Sequence, residues 1–297
     1  MDVRQLRYFL TIAEEGQITR AAKKLNMAQP PLSQQLKLLE QELDVKLVER
    51  NGRKMELTEA GKILYKRAEN ILNQLNETKT EVKEMGEGIR GVLSVGSVIS
   101  CFSYLPERVR FFRQQYPLVT FQLREGDSYR LVQYVENRDV ELAIVHLPLE
   151  KTHFSMIPLP AEPFTLVMPK EWDMDPSKTT IQMAEIAEIP LLLMRRLNGR
   201  GIYEIIVEEC NRHGFEPQLV GDCPDAAMLL WLVSSGICAT ILPKSTLSAL
   251  PATDLKIMDI EDSSIQSEAG VIWLKDRFLS KSAVRFIDTF RNHDGNS

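Results

Sequence analysis

Residues 18–43 hold the feature that most restricts the fold of this chain: two helical patterns separated by only three residues. The first, ITRAAKKL at 18–25, has apolar residues on one face, and the second, QPPLSQQLKLLEQ, begins at residue 29. Asn26 in the short break tolerates the left-handed conformation that such turns often need. Two short helices joined by a three-residue turn predict a helix-turn-helix at about 18–37.

The second helix of this pattern has an unusual polar face. Its two prolines suit a helix start, because first-turn N–H groups have no intrahelical partner and the φ of proline is already helical. Leucines form one face, whereas the opposite face is rich in amides and hydroxyls and nearly free of acids. Such side chains can bond bases and phosphates, so we expect this face to contact DNA. The candidate residues are Gln29, Pro30, Pro31, Ser33, Gln34 and Lys37.

A basic β-hairpin is predicted directly after this helix. Asn51-Gly52 between the runs VKLVER and KMELT is a strong local hairpin signal. A basic hairpin after a helix-turn-helix is a wing, whose tip can lie along a phosphate backbone or in the minor groove. Together with an amphipathic helix at 2–14, it predicts a winged helix-turn-helix domain over residues 1–58. The basic residues near the tip are Arg50, Arg53 and Lys54.

Residues 59–86 predict one long helix, because they contain no proline and no glycine between Gly61 and Gly86. Apolar residues recur at the a and d positions of a heptad, with Thr78 as the polar exception. The polar remainder leaves one narrow stripe to bury, so we predict a dimer seam in a linker helix over residues 59–90. Packing of this helix on its own domain is the alternative. The apolar members are Leu64, Ala68, Ile71, Leu75, Val82 and Met85.

Beyond residue 90 strand-like runs such as LSVGSV, VTFQLRE and VELAIVHL alternate with helical runs. This alternation predicts an α/β fold with mainly parallel, doubly wound sheets, and such sheets bind ligands beyond the carboxyl ends of their strands. A proline-rich stretch around 158–163 suits a crossover between two lobes. We therefore expect a domain over residues 91–297, with lobe I at about 91–161 and 267–297 and lobe II at about 162–266.

The composition sets outer limits on the function. With 297 residues, 44% of them apolar and 26% charged, the chain suits two or three globular domains. No apolar run approaches the roughly 18 residues of a membrane span, and early charges argue against a signal peptide, so we expect a cytoplasmic protein without a membrane partner. Residues 1–90 carry a net charge of +2 and the remainder −7, which fits a head that meets polyanions.

The order of these elements closely resembles that of the LysR-type bacterial transcriptional regulators. The resemblance extends to the residues themselves, in LRYFLTIAEEGQITRAAKKLNMAQPPLSQQLKLLEQELDVKLVERNGRKMELTEAGK. The family carries a similar AA-x-x-L, Q-P-x-L-S, L-E and R…R…L-T-x-A-G arrangement. The likeness is specific to about residue 65 and weaker beyond, in REGDSYRLVQYV, DVELAIV, RLNGRGIYE and SSGICATILP. Two positions depart from it: Ala28, where relatives often have Ser or Thr, and Asp44, where they often have Gly.

The resemblance implies a sequence-specific regulator that binds double-stranded promoter DNA as a homodimer or homotetramer. It also implies a periplasmic-binding-protein-like effector domain, and RNA polymerase is a further candidate partner. A small-molecule effector is expected between the lobes, near strand ends and helix starts. Because helix N-termini carry partial positive charge, a small organic anion suits such a place.

Ser100 is the first candidate for effector binding, although an ordinary capping serine is the alternative. His146 stands where relatives often have Arg, and a neutral His would weaken selection for a carboxylate. Arg196 could instead form a salt bridge on the lobe surface. The positions that match the family site are Ser97, Ser100, Cys101, Asp127, Ser128, His146, Arg196, Asn198, Pro224 and Asp225.

Two other functions are alternatives to this prediction. An enzyme is not expected, because the chain has no G-x-x-x-x-G-K-[ST], G-x-S-x-G or H-E-x-x-H motif and its four histidines are scattered. A cysteine-based redox sensor is the closer alternative, since a peroxide-sensing branch of the family uses paired cysteines. Cys210 and Cys223, however, fall within a helix and beside a strand. The four cysteines have no metal-ligand spacing, so no metal or cofactor is expected.

Overall fold

The structure, a computed structural model, divides into two compact units. The first comprises Met1–Gly86 with Asn137–Asp139, and the second comprises Glu87–Glu136 with Val140–Ser297. Within the part of the chain that is described, no helix has the length and apolar character needed to cross a membrane. The described residues are 1–51, 54–84, 89–149, 153–172, 175, 177–196, 200–250 and 254–291.

The first unit contains a helix-turn-helix, a two-stranded sheet and a long helix. Apolar faces of its first three helices converge on one core, in which Phe9, Ile12, Leu32 and Leu39 are almost fully buried. The predicted winged helix-turn-helix is therefore confirmed. Its elements are α1 (Val3–Glu15), α2 (Ile18–Lys24), α3 (Gln29–Leu43), β1 (Val48–Asn51), β2 (Lys54–Leu57) and α4 (Glu59–Glu84).

Helix α3 begins at Gln29 without a capping side chain, since Ala28 makes no side-chain bond. A capping hydroxyl ordinarily accepts from the N–H group of the second or third helical residue. Here those residues are Pro30 and Pro31, which have no N–H group. A hydroxyl at position 28 would have little to satisfy, which explains why alanine suffices there.

The turns around α3 use left-handed residues at both ends. Asn26 before the helix has a φ of 51°, and Asp44 after it has a φ of 52°. Asn and Asp visit this region more readily than other residues with a side chain, so Asp44 can replace the glycine common in relatives. In the wing, Asn51 pairs with Lys54, so the connection falls at 52–53, outside the described residues. The connection thus lies one residue later in the chain than a turn centred on Asn51-Gly52.

The start of α4 is tied to the strand that leads into the wing. Thr58 donates its hydroxyl to the Lys46 carbonyl at 2.7 Å, and the same oxygen accepts from the Gly61 N–H at 3.0 Å. A Cβ on Gly61 would lie 2.0 Å from the Leu47 carbonyl oxygen, so only glycine fits this close approach. The L-T-x-A-G pattern therefore encodes a helix cap and a backbone contact.

Helix α4 uses its heptad stripe in two ways. Ala68 is buried in the core of the first unit, and Leu64 packs against that core. Farther along, Ile71 is 39% exposed and Val82 is 69% exposed. The first half of the predicted seam thus packs on its own domain, which was the alternative, whereas the second half presents apolar side chains to solvent.

The second unit is built from two α/β lobes. Its strands are β3 (Gly91–Ser97), β4 (Val119–Glu125), β5 (Leu142–His146), β6 (Phe154–Pro158), β7 (Glu162–Pro169), β8 (Thr180–Ile181), β9 (Leu191–Met194), β10 (Leu219–Cys223), β11 (Thr240–Pro243), β12 (Leu255–Ile260), β13 (Gln266–Ser267) and β14 (Ala269–Leu274). Its α-helices are α5 (Pro106–Gln115), α6 (Ser128–Glu136), α7 (Met183–Ile186), α8 (Ile202–Arg212), α9 (Ala226–Ser234), α10 (Lys244–Ala249) and α11 (Lys281–Arg291). Two short 3-10 helices span Ile99–Tyr104 and Lys170–Trp172.

The first lobe contains a five-stranded sheet in the order β4-β3-β5-β14-β6. Strand β3 runs parallel to β4 and β5, but β14 is antiparallel to both β5 and β6. The chain leaves this lobe after β6 and returns through β13, so β14 enters the sheet in the opposite direction. A core cluster that includes Phe112, Ile144 and Phe286 fills the lobe.

The second lobe contains the order β11-β7-β12-β8, with β13 also on β7, and a separate β9-β10 pair. Strand β7 is antiparallel to all three of its partners. A parallel bridge between Leu191 and Ala239 joins the β9-β10 pair to the residues before β11. The prediction of mainly parallel sheets is therefore wrong, although the α/β class and the two lobes are confirmed. The two crossover segments, β7 and β13, pair with each other.

Candidate DNA-contacting face and effector cavity

The polar face predicted on α3 lies at the surface of the first unit. Leu32, Leu36 and Leu39 point into the core, and this orients the opposite side of the helix outward. Lys54 on β2 is exposed as well, whereas Arg53 and the side chain of Arg50 lie outside what the structure describes. On α3, Ser33 is half-buried and the exposed candidates are Gln29, Pro30, Pro31, Gln34 and Lys37.

A buried carboxylate connects α3 to the wing. Glu40, 7% exposed, accepts from the Leu47 N–H at 2.9 Å and from Lys46 Nζ at 2.9 Å. A backbone N–H donates a stronger hydrogen bond to a charged carboxylate than to a neutral acceptor, so Glu40 holds the segment that leads into the wing against the helix. Glu40 is not among the residues predicted to be functional, although the L-E pair of the family pattern marks its position.

A cavity of about 510 Å³ lies at the carboxyl ends of five strands in the second unit. Three of these strands, β3, β4 and β5, belong to the first lobe, and β9 and β10 belong to the second. Seven of the predicted effector residues line the cavity, so residues up to 125 positions apart in the chain meet there. These seven are Ser100, Asp127, Ser128, His146, Arg196, Pro224 and Asp225.

The other three predicted residues have different positions. Ser97 is buried and donates its hydroxyl to the Val98 carbonyl at 3.0 Å. Cys101 is buried behind the cavity wall, with its sulfur 3.9 Å from His146 Nε2. Asn198 lies outside the described residues.

His146 is the centre of a buried polar cluster in the wall. Its Nε2 lies 2.6 Å from Ser100 Oγ, and its Nδ1 lies 3.3 Å from Ser267 Oγ. Its backbone N–H donates to Ser128 Oγ at 3.2 Å. Burial, and to a smaller extent the charge of Arg196, lower the pKa of the imidazole to about 4, while a hydrogen bond with the Glu268 backbone opposes the shift. His146 is therefore neutral at pH 7.

Arg196 supplies positive charge to the cavity. It is half-buried, and burial lowers its pKa while the charge of Asp127 raises it. Its guanidinium donates to the Arg200 carbonyl at 3.1 Å. A Cβ on Gly201 would lie 3.0 Å from its Cγ and Cδ, so this glycine gives the side chain room. No carboxylate of a described residue lies within 4 Å of its guanidinium, so the alternative of a surface salt bridge has no support.

Two helix N-termini at the cavity already have carboxylate caps. Asp127 accepts from the Arg130 N–H at 2.7 Å at the start of α6, and Asp225 accepts from the Met228 N–H at 2.6 Å at the start of α9. Each cap uses an N–H group and places a negative charge where the family analogy places an anion. The arginine, rather than these helix ends, is consequently the better group for binding an anion.

Several residues that line the cavity are not among those predicted from the sequence. The run after Ser128 on α6 contributes the face formed by positions i, i+1 and i+4, a periodicity that the helical pattern could have revealed. The apolar members had no signal beyond their nearness to strand ends. The missed residues are Val98, Ile99, Glu125, Gly126, Tyr129, Arg130, Gln133 and Met194.

The four cysteines are free and buried. Burial raises the pKa of the Cys101 thiol to about 12 and that of Cys210 to about 11. It also raises the pKa of Cys238. Because the thiolate is the reactive form, these surroundings disfavour the chemistry that a redox sensor requires.

A winged helix-turn-helix followed by a two-lobed α/β domain with a cavity defines a ligand-controlled regulator of transcription. The family model described as "Bacterial regulatory helix-turn-helix protein, lysR family" matches residues 3–62, and "LysR substrate binding domain" matches residues 86–295. The chain belongs to the LysR family. It is a DNA-binding transcriptional regulator with an effector-binding domain, and not an enzyme.

Individual relatives agree along nearly the whole chain. The transcriptional regulator BsdA of Bacillus subtilis (strain 168) is 40% identical over 291 residues, covering 98% of this chain and 100% of BsdA. AlsR of the same organism is 31% identical over 277 residues, covering 93% and 91%. The structure is similar to that of full-length CbnR complexed with its target DNA, with a TM-score of 0.81, 25% identity, and coverage of 98% and 99%.

Proposed function

We propose that a small organic anion, bound in the cavity through Arg196, controls transcription by this regulator. The observation that carries the proposal is a half-buried arginine that lines a 510 Å³ cavity without an ion pair to any described residue. Arginine presents a planar set of donors that matches a carboxylate, and its pairing is stronger where water is scarce. Ser128 and Ser100 on the same wall add polar contacts.

The ligand would act by favouring one arrangement of the two lobes. A ligand shifts a conformational equilibrium only when its affinities for the two states differ. The hinges would lie near 161–164 and 265–268, where strands β7 and β13 pair across the two crossovers. Lobe I at 91–161 and 267–297 would then move against lobe II at 162–266, within an effector domain over 91–297.

For the DNA-binding domain, over residues 1–58, we propose direct contact between α3 and a major groove. The exposure of Gln34 and Lys37 opposite the leucine face supports this assignment. CbnR, with which the chain shares 25% identity and its fold, was solved in complex with its target DNA. The wing, with Lys54 exposed, would contact the phosphate backbone nearby. We place the regulator in the cytoplasm, with RNA polymerase as a further partner.

We also propose a homodimer or homotetramer held partly by the linker helix, residues 59–90. The exposed apolar side chains of Ile71 and Val82 support this, since α4 leaves them in solvent. Leu75→Glu would place a charge in the seam at a cost of several kcal/mol unless the interface opens. Sedimentation should therefore show a smaller species, and an unchanged oligomer would contradict the seam.

The anion proposal is tested with Arg196→Gln and, as the matched control, Arg195→Gln. Arg195 is exposed and already pairs with Asp222 at 3.4 Å. Calorimetry on the full-length protein would use acetate, propionate, lactate, phenylacetate, mandelate and benzoate as probes. Loss of a charged hydrogen bond should weaken binding by about 10- to 100-fold in Arg196→Gln and leave the control unchanged. Failure of all probes to bind, or equal binding to both variants, would contradict the proposal.

A further inference from the structure

A serine hydroxyl joins the cavity wall of the first lobe to the second lobe. Ser245 is the second residue of α10, which follows β11 of the second lobe. Ser100 lies in the 3-10 helix that follows β3 of the first lobe, and this helix packs against α10. Ser245 donates its hydroxyl to the Ser100 carbonyl at 3.1 Å. The bond therefore connects the two lobes at a residue that lines the cavity.

The position of Ser245 is set by Glu162, the first residue of β7 in the crossover. The Ser245 N–H donates to Glu162 Oε2 at 2.7 Å, and its hydroxyl also lies within hydrogen-bonding distance of Glu162 Oε1. Carbonyl and carboxylate oxygens both accept, so the one proton of this hydroxyl is shared between Ser100 and Glu162. The N–H of a second helical residue has no partner within its helix, so the same carboxylate also caps α10.

These contacts close a ring that passes through both crossover segments. In the antiparallel pair of β7 and β13, Glu162 lies directly opposite Ser267. Ser267 Oγ is 3.3 Å from His146 Nδ1, and His146 Nε2 is 2.6 Å from Ser100 Oγ. Ser100 is thus held through its side chain by His146 and through its carbonyl by Ser245. Because the ring is closed, a displacement of either crossover also changes the position of Ser100.

The proposed binding of an acid needs groups from both lobes at a fixed separation. Arg196 follows β9 of the second lobe, whereas Ser100 and Ser128 belong to the first. A site whose groups are already held in place loses less free energy on binding than one that has to be ordered. Ser245 supplies such order from outside, since it is not among the residues that line the cavity.

We infer that Ser245 is a positioning residue for effector binding, because its hydroxyl holds the Ser100 wall at the distance from Arg196 that a bound acid has to span. The side chain of Glu162 takes part by fixing Ser245. The inference rests on the proposed binding of an acid through Arg196. It assigns control of effector affinity to a contact between the lobes that lies behind the cavity wall.

The test compares Ser245→Ala with the wild type by calorimetry on the full-length protein. The probes are acetate, propionate, lactate, phenylacetate, mandelate and benzoate. Alanine removes the hydroxyl but keeps the N–H bond to Glu162, so α10 retains its cap. Loss of one hydrogen bond should weaken binding of each acid that binds the wild type by about 3- to 10-fold.

Thr246→Val is the matched control on the same helix. Thr246 is fully buried, and its hydroxyl has no hydrogen-bond partner among the described residues. Valine has nearly the same shape, so acid affinity should stay within about twofold of the wild type. Ser245→Thr, which retains a hydroxyl, should also stay within about twofold. A loss in either variant as large as that in Ser245→Ala would overturn the assignment.

A double variant separates positioning from general destabilisation. Glu162→Gln alone should weaken acid binding, but by no more than Ser245→Ala does. In the Ser245→Ala background it should have no further effect, because the side chain of Glu162 then has no hydroxyl through which to hold Ser100. A further loss in the double variant would mean that Glu162 acts on the cavity by another path, and would contradict the shared hydroxyl.

The outcomes also separate this inference from the proposal beneath it. If acids bind through Arg196 and bind Ser245→Ala as tightly as the wild type, or more tightly, the positioning role is wrong and the anion site stands. If no acid binds, or if Arg196→Gln binds as well as the wild type, both fail.

Discussion

The face of α3 that we propose contacts DNA and the wall of the cavity use similar residue types in opposite surroundings. Gln34 and Lys37 are exposed on the helix, whereas Ser100 and His146 are buried and hydrogen-bonded to each other. Exposed side chains keep their freedom and can adapt to phosphates, bases and bridging water. Buried polar groups are preorganised, and a single change leaves several neighbours without partners. Substitutions on the α3 face should therefore change DNA binding one contact at a time. Substitutions in the cavity wall should disturb several hydrogen-bond partners at once.

The largest expected effect is on folding stability at low pH, where the buried His146 has to become charged. The pKa of His146 is lowered to about 4, chiefly by burial, whereas an imidazole in the unfolded chain titrates near 6.5. Between these values the unfolded state binds more protons, so stability is lost as the pH falls from about 6.5 to 4. The contribution is about 3 kcal/mol at pH 7.

Urea unfolding at several pH values from 7 to 4 should show this loss in the wild type and a flatter dependence in His146→Gln. His153→Gln, at an exposed histidine, controls for the loss of a histidine as such. An acid dependence in His146→Gln as steep as in the wild type would show that other groups cause it. The buried wall would then not be the source of the acid sensitivity.

A smaller effect should separate base contact from phosphate contact on the face. Gln34→Ala should relax the preference at one base pair, at a cost of about 1–3 kcal/mol on the specific site. Lys37→Ala should instead weaken binding to all sequences and reduce the salt slope by about one. Fluorescence anisotropy on operator and random DNA over a range of salt concentrations measures both. Equal losses on the two DNAs for Gln34→Ala would argue against base contact.

The two regions also differ in how far the sequence predicts them. The winged domain lies within 58 consecutive residues, so periodicity and turn residues located α1, α2, α3 and the hairpin. Even there, the connection of the wing lies one residue after its turn signal, and the anchor formed by Glu40 was not predicted. Its partners are backbone groups several residues away, and periodicity carries no information about them.

The cavity could be predicted only in part, because its residues come from five separate strand ends. Seven of the polar and cavity-end residues expected from the sequence line the cavity, but which of them touch was not predictable. Ser100 and His146 are 46 residues apart and meet through the parallel pairing of β3 with β5. Short strands such as β6 and β12 have little periodicity, and their antiparallel pairing with β14 and β7 could not be predicted from the alternation of strand-like and helical runs.

The smallest effect should come from Gly201→Ala, which changes the wall without removing a polar group. The φ of Gly201 is −144°, so alanine is allowed by the backbone. Its Cβ would lie 3.0 Å from Arg196 Cγ and Cδ, and the arginine would have to move by a few tenths of an ångström. Because the hydrogen bond from the Arg196 guanidinium to a ligand carboxylate depends on alignment, affinity for a bound acid should fall by up to tenfold, about 1 kcal/mol.

Gly221→Ala is the matched control for this substitution, since its Cβ would meet only the Leu192 side chain, at 3.3 Å. Calorimetry with the same acid should show the loss in Gly201→Ala and not in the control, while DNA affinity stays the same in both. A loss as large as that of Arg196→Gln would mean that the start of α8 is displaced. Unchanged affinity would mean that the guanidinium adjusts freely, and the wall would then resemble the adaptable face of α3 rather than contrast with it.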